Sequence, residues 1–394
     1  MKVLHIFDRY LNSTMNWAHN FMVSMQDVDH YVTAPIVFHN SYKEGVQLVL
    51  APYQKSLPMP KDEWSVPGSY RVLDKVLPQF FNQWLKKFVQ KNTPDIIHAH
   101  FGGVGVRHMH WIEKTNIPFV VSFYGFDMEK LPHKKPAYRE FYRELGRIAD
   151  GIFVLGASSK RTMISRYEMV PDKIYIHPLG IPVDRLPFHT KQKKSGQLRL
   201  LQIATLTPKK GQLDAIKALH LALQHYENIH LTLSGEGWDK SYVSEIRAYI
   251  EQYNLDKHVR LLPFTPHHQI YDLMSRHDVF IHPSRFTADK DSEGGATFAI
   301  LEAMAAGLPV LSTNHRSIPE RVVHGQMGFI SPEGNPKALA QSILRMYEMD
   351  DLRYKEMSNS CRKQIEEQFN SDKLIVALRD CYHSICTKKR NTLL

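Results

Sequence analysis

The feature that most restricts this chain's fold is an alternation. Short apolar runs rich in β-branched residues recur along it with helical stretches between them, the pattern that builds parallel sheets from strand-helix-strand units. In the first half the runs are KVLHIF (2–7), DIIHAH (95–100), PFVVSF (118–123), GIFVLG (151–156) and KIYIHP (173–178). In the second they are LRLLQIATL (198–206), IHLTLSG (229–235), VRLLPF (259–264), DVFIHPS (278–284) and PVLST (309–313). Each half is long enough for its own doubly wound α/β domain. Between them PVDRLPFHTKQKKSGQ (182–197) is polar, basic and without hydrophobic period, so it reads as a linker. The expected domains are 1–185 and 186–370, with 371–394 a closing helix packed across both. Ligands of open parallel sheets bind beyond the C-terminal strand ends, so two such domains would face each other across a cleft that holds the chemistry.

Composition narrows the class. The 394 residues are 43% hydrophobic and 23% charged, ordinary for a soluble globular protein. No stretch approaches the roughly 20 apolar residues that cross a bilayer, and MKVLHIFDRYLN reads as a first strand, not a signal peptide. The expected location is the cytoplasm. Cys361, Cys381 and Cys386 are too few and too poorly spaced for a zinc site, and read as reduced thiols. The net charge of +10 implies an anionic partner, but the basic residues are scattered and no nucleic-acid motif accompanies them. An anionic small molecule or a phospholipid surface fits better than nucleic acid. In PQFFNQWLKKFVQK, Phe80, Phe81, Trp84, Leu85 and Phe88 lie near one helical face beside Lys86, Lys87 and Lys91. The simplest reading is a helix packed on its own sheet. Contact with a membrane surface is the alternative.

The most informative stretch is DSEGGATFAILEAMAAGLPVL (291–311). After the strand DVFIHPS the chain runs through a polar loop into the helix TFAILEAMAAG, for which Thr297 is the expected N-cap and Gly307 the stop. Such a helix start favours phosphate, and Gly294 and Gly295 let a ligand approach the backbone closely. Glu302, about one turn along, can accept hydrogen bonds from the two hydroxyls of a ribose. Glu293, ahead of the helix, lies where a sugar beyond the phosphates would be held.

SEGGATFAILEAMAAGLPVLSTNHRSIPERVVHGQMGFI resembles the nucleotide-sugar half of the large retaining glycosyltransferase family with the GT-B fold. It is most similar to members that build capsular, exopolysaccharide and colanic-acid-type repeat units. PDIIHAHFGG, PFVVSFYGFD, DKIYIHPLGIPVDRLPF, TLTPKKG, SGEGW and DVFIHPS recur in that family in the same order. The resemblance implies two Rossmann-like domains, a nucleotide-sugar donor, UDP- or GDP-linked, no cofactor and no required metal. It also implies a saccharide acceptor, lipid-linked at the inner face of the plasma membrane. By the same resemblance Glu293 contacts the donor sugar, Glu302 the ribose, and Lys210 of TPKKG the diphosphate. Gly294, Gly295, Ala296, Thr297 and Gly235 line the nucleotide site.

The chain departs from the family's pattern in places. Eight residues, not seven, separate Glu293 from Glu302, and Thr205 stands where an arginine is usual, so Lys209 is expected to supplement Lys210. Tyr124 of SFYGFD replaces a histidine near the reacting sugar; it can donate a hydrogen bond but is a poor general base at neutral pH. That suits a front-face route in which the departing phosphate takes the acceptor proton. Asp127 is placed near the same turn, and His98 and His100 are expected to face the cleft as acceptor or donor contacts, with core histidines the alternative. The pair could also ligate a metal, but no Cys, Asp or Glu completes a set. The loop NSTMNW (12–17) follows the first strand on the substrate side. Asp27-Val28-Asp29 and Asp289-Lys290-Asp291 imitate a metal-binding Asp-x-Asp without its strand context, and Gly235-Glu236-Gly237 lacks the third glycine of a dinucleotide fingerprint. Two rival functions are a catalytically silent scaffold of the same fold, favoured by Thr205 and Tyr124, and a sugar-nucleotide epimerase.

Overall fold

The computed structural model describes residues 1–10, 16–38, 45–52, 68–188, 190–237, 239–293 and 297–393; the side chains of residues 16, 17, 68–78, 185 and 393 are outside that description. The chain forms two units. The first comprises Met1–Val154, Ser159–His177 and Asp372–Leu394, and the second Leu155–Ser158 and Pro178–Ser371.

The first unit contains strands β1 (Lys2–Ile6), β2 (Arg9–Tyr10), β3 (Asp29–Thr33), β4 (Ile36–Val37), β5 (Gln47–Leu48), β6 (Ile96–His100), β7 (Phe119–Phe123), β8 (Gly151–Val154) and β9 (Ile174–Ile176). Its helices are α1 (Asn16–Val23), α2 (Gly68–Asn92), α3 (Gly102–Glu113), α4 (Lys130–Lys134), α5 (Tyr138–Ile148) and α6 (Ala157–Tyr167). The main sheet runs β5-β3-β1-β6-β7-β8-β9, parallel throughout, with β2 and β4 as a separate pair. In the second unit β10 (Leu198–Ile203), β11 (Ile229–Ser234), β12 (Val259–Leu262), β13 (Val279–His282), β14 (Val310–Thr313) and β15 (Gly328–Ser331) form another parallel sheet, in the order β12-β11-β10-β13-β14-β15. Helices α7 (Gln212–Ala222), α8 (Lys240–Gln252), α9 (His267–Ser275), α10 (Phe298–Ala305), α11 (Pro336–Glu348) and α12 (Asp351–Gln368) cover it, and α13 (Ser371–Leu393) ends the chain.

Period-two alternation sorts the first sheet into two faces. Leu4, Ile6, Ile97, Ala99, Val121 and Phe123 pack with Phe81, Leu85 and Val89 of α2 and Leu145 of α5. Val3, Ile96, Val120 and Phe153 point the other way and are covered by Ile375, Leu378, Tyr382 and Ile385 of α13. The aromatic helix α2 therefore spends its apolar face on its own sheet, with Phe80 left 57% exposed.

The segment 182–197, read from the sequence as the linker between domains, is built into the second unit. Val183 and Leu186 are buried in its core. Lys191 Nζ donates to the carbonyls of Met274 (3.0 Å), Ser275 (2.9 Å) and His277 (3.4 Å) at the end of α9. Lys193 Nζ donates likewise to the carbonyls of Met346 and Tyr347 at the end of α11. Each lysine satisfies carbonyls that a helix end leaves without intrahelical partners, and places its charge at the negative end of the helix dipole.

Candidate functional site

In the second unit the candidate residues gather at the C-terminal ends of β10 and β13. Beyond β10 the chain forms a short 3-10 turn over Pro208–Lys210 and enters α7 through Gly211. Gly211 has φ +71°, and a Cβ there would fall 2.1 Å from the Pro283 carbonyl oxygen, so the turn that presents Lys210 requires glycine. Gly235 plays a similar part after β11, where a Cβ would lie 1.9 Å from the Ala204 carbonyl oxygen.

Lys210 forms an ion pair with Glu293, and both are shielded, their side chains 19% and 5% exposed. Glu293 also accepts from His282 Nε2 (2.9 Å), Ser284 Oγ (2.6 Å) and Thr297 Oγ1 (3.1 Å). This answers the cost of burying a carboxylate: its oxygens are fully partnered. Thr297 stands at the N-cap position of α10, but its hydroxyl goes to Glu293 and makes no capping bond. Gly294, Gly295 and Ala296 lie outside the described residues.

Burial, reinforced by Lys209, pulls the Lys210 ammonium down, against the opposing pulls of Asp291 and of the Glu293 carboxylate in contact with it. Lys209 Nζ is itself 3.4 Å from Asp291 Oδ1. Burial, Lys210 and His315 push His282 well below 6.5, so its ring is neutral and donates Nε2–H to Glu293. Several buried polar atoms nearby have no protein partner: Gln202 Oε1, Thr207 Oγ1, His282 Nδ1, Ser292 Oγ and His315 Nε2. Buried polar groups are ordinarily satisfied, so a cluster of open ones marks a place suited to a polar ligand. Thr205 contributes its carbonyl to Gln212 Nε2 at 2.9 Å.

Glu302 sits on α10 with its side chain 12% exposed, and Oε1 is 2.9 Å from Nε2 of His267 at the start of α9. That hydrogen bond raises the His267 pKa above its usual value. His267, His282 and Ser284 were not singled out from the sequence. His282 and Ser284 sit within DVFIHPS, where polar residues at the end of a buried strand were a readable signal; nothing local marks His267.

The first-unit candidates are arranged differently from expectation. His98 does not present itself to a ligand: it is 2% exposed, with Nδ1 2.6 Å from the Tyr382 hydroxyl and Nε2 2.7 Å from Ser122 Oγ. His100, 4% exposed, bonds Nδ1 to the Tyr124 hydroxyl (3.1 Å) and Nε2 to His5 Nδ1 (2.9 Å), and His5 Nε2 reaches His30 Nδ1 at 2.9 Å. Parallel pairing brings His5 opposite His98, which local sequence could not show. Burial holds His5 and His98 well below 6.5 and His100 at about 3, so these rings are neutral.

His5, His98 and His100 each offer a nitrogen within 4.8 Å of the others, so the third metal-ligand candidate missing from the sequence reading exists. Their geometry serves hydrogen bonding instead. His98 and His100 stack at 4.0 Å and 26°, and every ring nitrogen of the three already has a hydrogen-bond partner. Asp127 is likewise a support and not a cleft contact. It is 1% exposed and accepts from the amides of Gly102 (2.9 Å), Tyr124 (3.1 Å) and Gly125 (2.9 Å), which fixes the turn that holds Tyr124. Of the loop 12–17, residues 12–15 lie outside the described residues.

Known proteins bear on this arrangement. The model for glycosyl transferases group 1 matches residues 185–368, and that for Glycosyltransferase Family 4 matches residues 40–185. The putative colanic acid biosynthesis glycosyltransferase WcaL of Salmonella typhimurium is 30% identical over 71% of this chain and 68% of its own length. The amylovoran biosynthesis glycosyltransferase AmsK of Erwinia amylovora is 28% identical over 70% and 67%. Among solved structures, Anabaena HepE in complex with UDP superposes with a TM-score of 0.69 at 17% identity, covering 98% of this chain and 100% of its own. That likeness establishes the fold, GT-B, with two parallel-sheet Rossmann-like domains. The sequence matches, which take in the segments carrying Lys210, Glu293 and Glu302, establish more: the chain belongs to the group 1 family of glycosyl transferases.

Proposed function

We propose that the protein is a retaining hexosyltransferase that moves a sugar from a UDP- or GDP-linked donor to a hydroxyl of a lipid-linked saccharide, at the cytoplasmic face of the membrane, during assembly of a cell-surface polysaccharide. The observation that carries this reading is the buried Lys210–Glu293 pair at the ends of β10 and β13, with Glu302 one helix turn into α10. Lys210, with Lys209 beside it, offsets the charge of the departing diphosphate and supplies what a metal would otherwise provide. Glu302 accepts from the ribose hydroxyls. Glu293 keeps Lys210 in place at the edge of the sugar site. The UDP bound by HepE and the polysaccharide roles named for WcaL and AmsK support the donor class and the pathway type.

In this reading the acceptor oxygen attacks the anomeric carbon from the side that the diphosphate leaves. The bond from that carbon to the phosphate oxygen breaks, and the acceptor proton passes to the departing phosphate. No protein base is needed. Tyr124 is unsuited to be one, because burial raises its hydroxyl pKa above 10; it serves as a hydrogen-bond donor to the sugar.

The test is nucleoside diphosphate release from UDP-, GDP- and ADP-sugars with chelator present and a membrane lipid extract as acceptor source. Acceptor-dependent release from one donor, with the anomeric configuration kept in the product, is the expected result. Release that requires added metal would refute metal independence. Nucleotide binding without release would favour the silent scaffold, and sugar conversion without nucleotide release the epimerase.

A further inference from the structure

The first unit holds a bulky residue, Phe101, in a strained backbone conformation. β6 ends at His100 and α3 begins at Gly102, so the change from strand to helix is made within Phe101 alone. Its amide still donates to the Ser122 carbonyl (3.1 Å), extending the β6–β7 ladder, while its carbonyl already accepts from the helix amides of Val104 (3.0 Å) and Gly105 (3.1 Å). Meeting both demands takes φ 80° and ψ 141°, a conformation open to glycine and costly for a residue with a Cβ. Among the described residues, the other non-glycine residues of positive φ lie between 38° and 59°, close to left-handed helical values. The turn cannot move along the chain, because the helix start is pressed against β7, where a Cβ on Gly102 would fall 2.1 Å from the Phe123 ring. The next two positions are glycine, yet position 101 is phenylalanine. Bulky residues held in such conformations gather at ligand sites, where the placement of the side chain matters more than the strain.

Phe101 is partly exposed. It packs on the small cluster that includes Phe7, Tyr10 and Met22, and its ring meets that of Tyr124 edge to face, with 5.3 Å between centroids and 69° between planes. We propose that Phe101 is the platform for a sugar ring of the acceptor saccharide, with the Tyr124 hydroxyl as a polar contact at the edge of that ring. A pyranose has an apolar face of C–H groups bounded by hydroxyls. The negative face of an aromatic ring attracts those polarised C–H groups as it attracts the positive edge of another ring. An aromatic side chain beside a fixed hydroxyl therefore matches both features. Lys210 and Glu302 of the second unit account for the donor, which leaves the acceptor for this unit. The proposal rests on the glycosyltransferase reading and names a residue that its acceptor stands on.

The test uses the full chain with its nucleotide-sugar donor and the membrane lipid extract as acceptor source. Phe101→Leu keeps apolar bulk and removes the aromatic face. Its melting temperature should stay near that of the wild type, while the amount of extract giving half-maximal nucleoside diphosphate release rises about tenfold, the size of one aromatic contact. The donor KM should not change, and Phe101→Tyr should behave as the wild type. Phe101→Gly relieves the backbone and Phe101→Ala does not, so the glycine variant should melt above the alanine variant although glycine gives the unfolded chain more entropy. The reverse order removes the strain on which the proposal stands and overturns it. A rise confined to the donor KM overturns it in favour of the donor sugar, and a fall in the melting temperature of Phe101→Leu that accounts for its lost activity overturns it in favour of packing alone. Wild-type protein without extract-dependent release would bring down the glycosyltransferase reading and this proposal with it, whereas wild-type release with Phe101→Leu unchanged would bring down this proposal only.

Discussion

At the scale of the residue, the site turns on how a carboxylate and an ammonium are kept together out of water. Glu293→Ala would leave Lys210 shielded without its counterion. Removing one partner of a buried pair costs about 3–5 kcal/mol, so a marked fall in the urea midpoint is expected, with loss of transfer. His282→Ala removes one donor to the same carboxylate and should cost about 1–3 kcal/mol by the same measurement. Lys210 is held by Glu293 at the donor site, so Lys210→Met should weaken UDP binding about ten- to hundredfold in isothermal titration calorimetry, through loss of charge-assisted bonds to the diphosphate. Glu302→Ala should remove UDP affinity in the same titration while leaving the melting temperature near that of the wild type. The sequence made Lys210, Glu293 and Glu302 legible because their chemistry is carried by local motifs. It could not show that His282 and Ser284 anchor Glu293, or that His98, His100 and Asp127 support Tyr124, because those contacts are set by strand pairing and side-chain direction.

At the scale of the element, the apolar runs were readable because a parallel strand buried on both faces is almost continuously hydrophobic. Five strands escaped that logic, and β2, β4 and β5 did so because each is only two residues long. β3 reads DHYVT, where a charged residue and a histidine dilute the apolar signal, and β15 is the short GFIS at the edge of its sheet. The segment 182–197 misled for a related reason. Lysines in a proline-containing stretch look solvated, and nothing local shows that Lys191 reaches the end of α9. Burial draws Lys191 down to about 8, although carbonyls at the end of α9 stand in for the water its ammonium has lost. Lys191→Met should therefore destabilise the second unit by about 1 kcal/mol, because partly buried carbonyls at the end of α9 lose their donor while most of the apolar stem is retained. Differential scanning calorimetry is the check, and a melting temperature equal to that of the wild type would show the contact to be idle.

At the scale of the whole molecule, the chain does not finish its first unit until its last residues. One face of the first sheet is covered by α13, whose Ile375, Leu378, Tyr382 and Ile385 pack on Val3, Ile96, Val120 and Phe153. The same face holds the imidazoles that lead to Tyr124, and the Tyr382 hydroxyl, 2.6 Å from His98 Nδ1, joins the helix to them. A buried polar network of this kind stabilises only while every member is satisfied. Tyr382→Phe keeps the ring and removes only the oxygen, so it isolates that bond from the packing. It should cost about 1–3 kcal/mol, the penalty of leaving a buried imidazole nitrogen without a partner. For a unit of this size that corresponds to a fall of roughly 2–12 °C in its melting temperature. Because the lost bond lies in the first unit, UDP affinity should be unchanged while kcat falls through the disturbed seat of Tyr124. Equal losses in UDP affinity and kcat would mean that the substitution damaged the fold generally, and an unchanged kcat would mean that the imidazoles hold the sheet together without holding Tyr124.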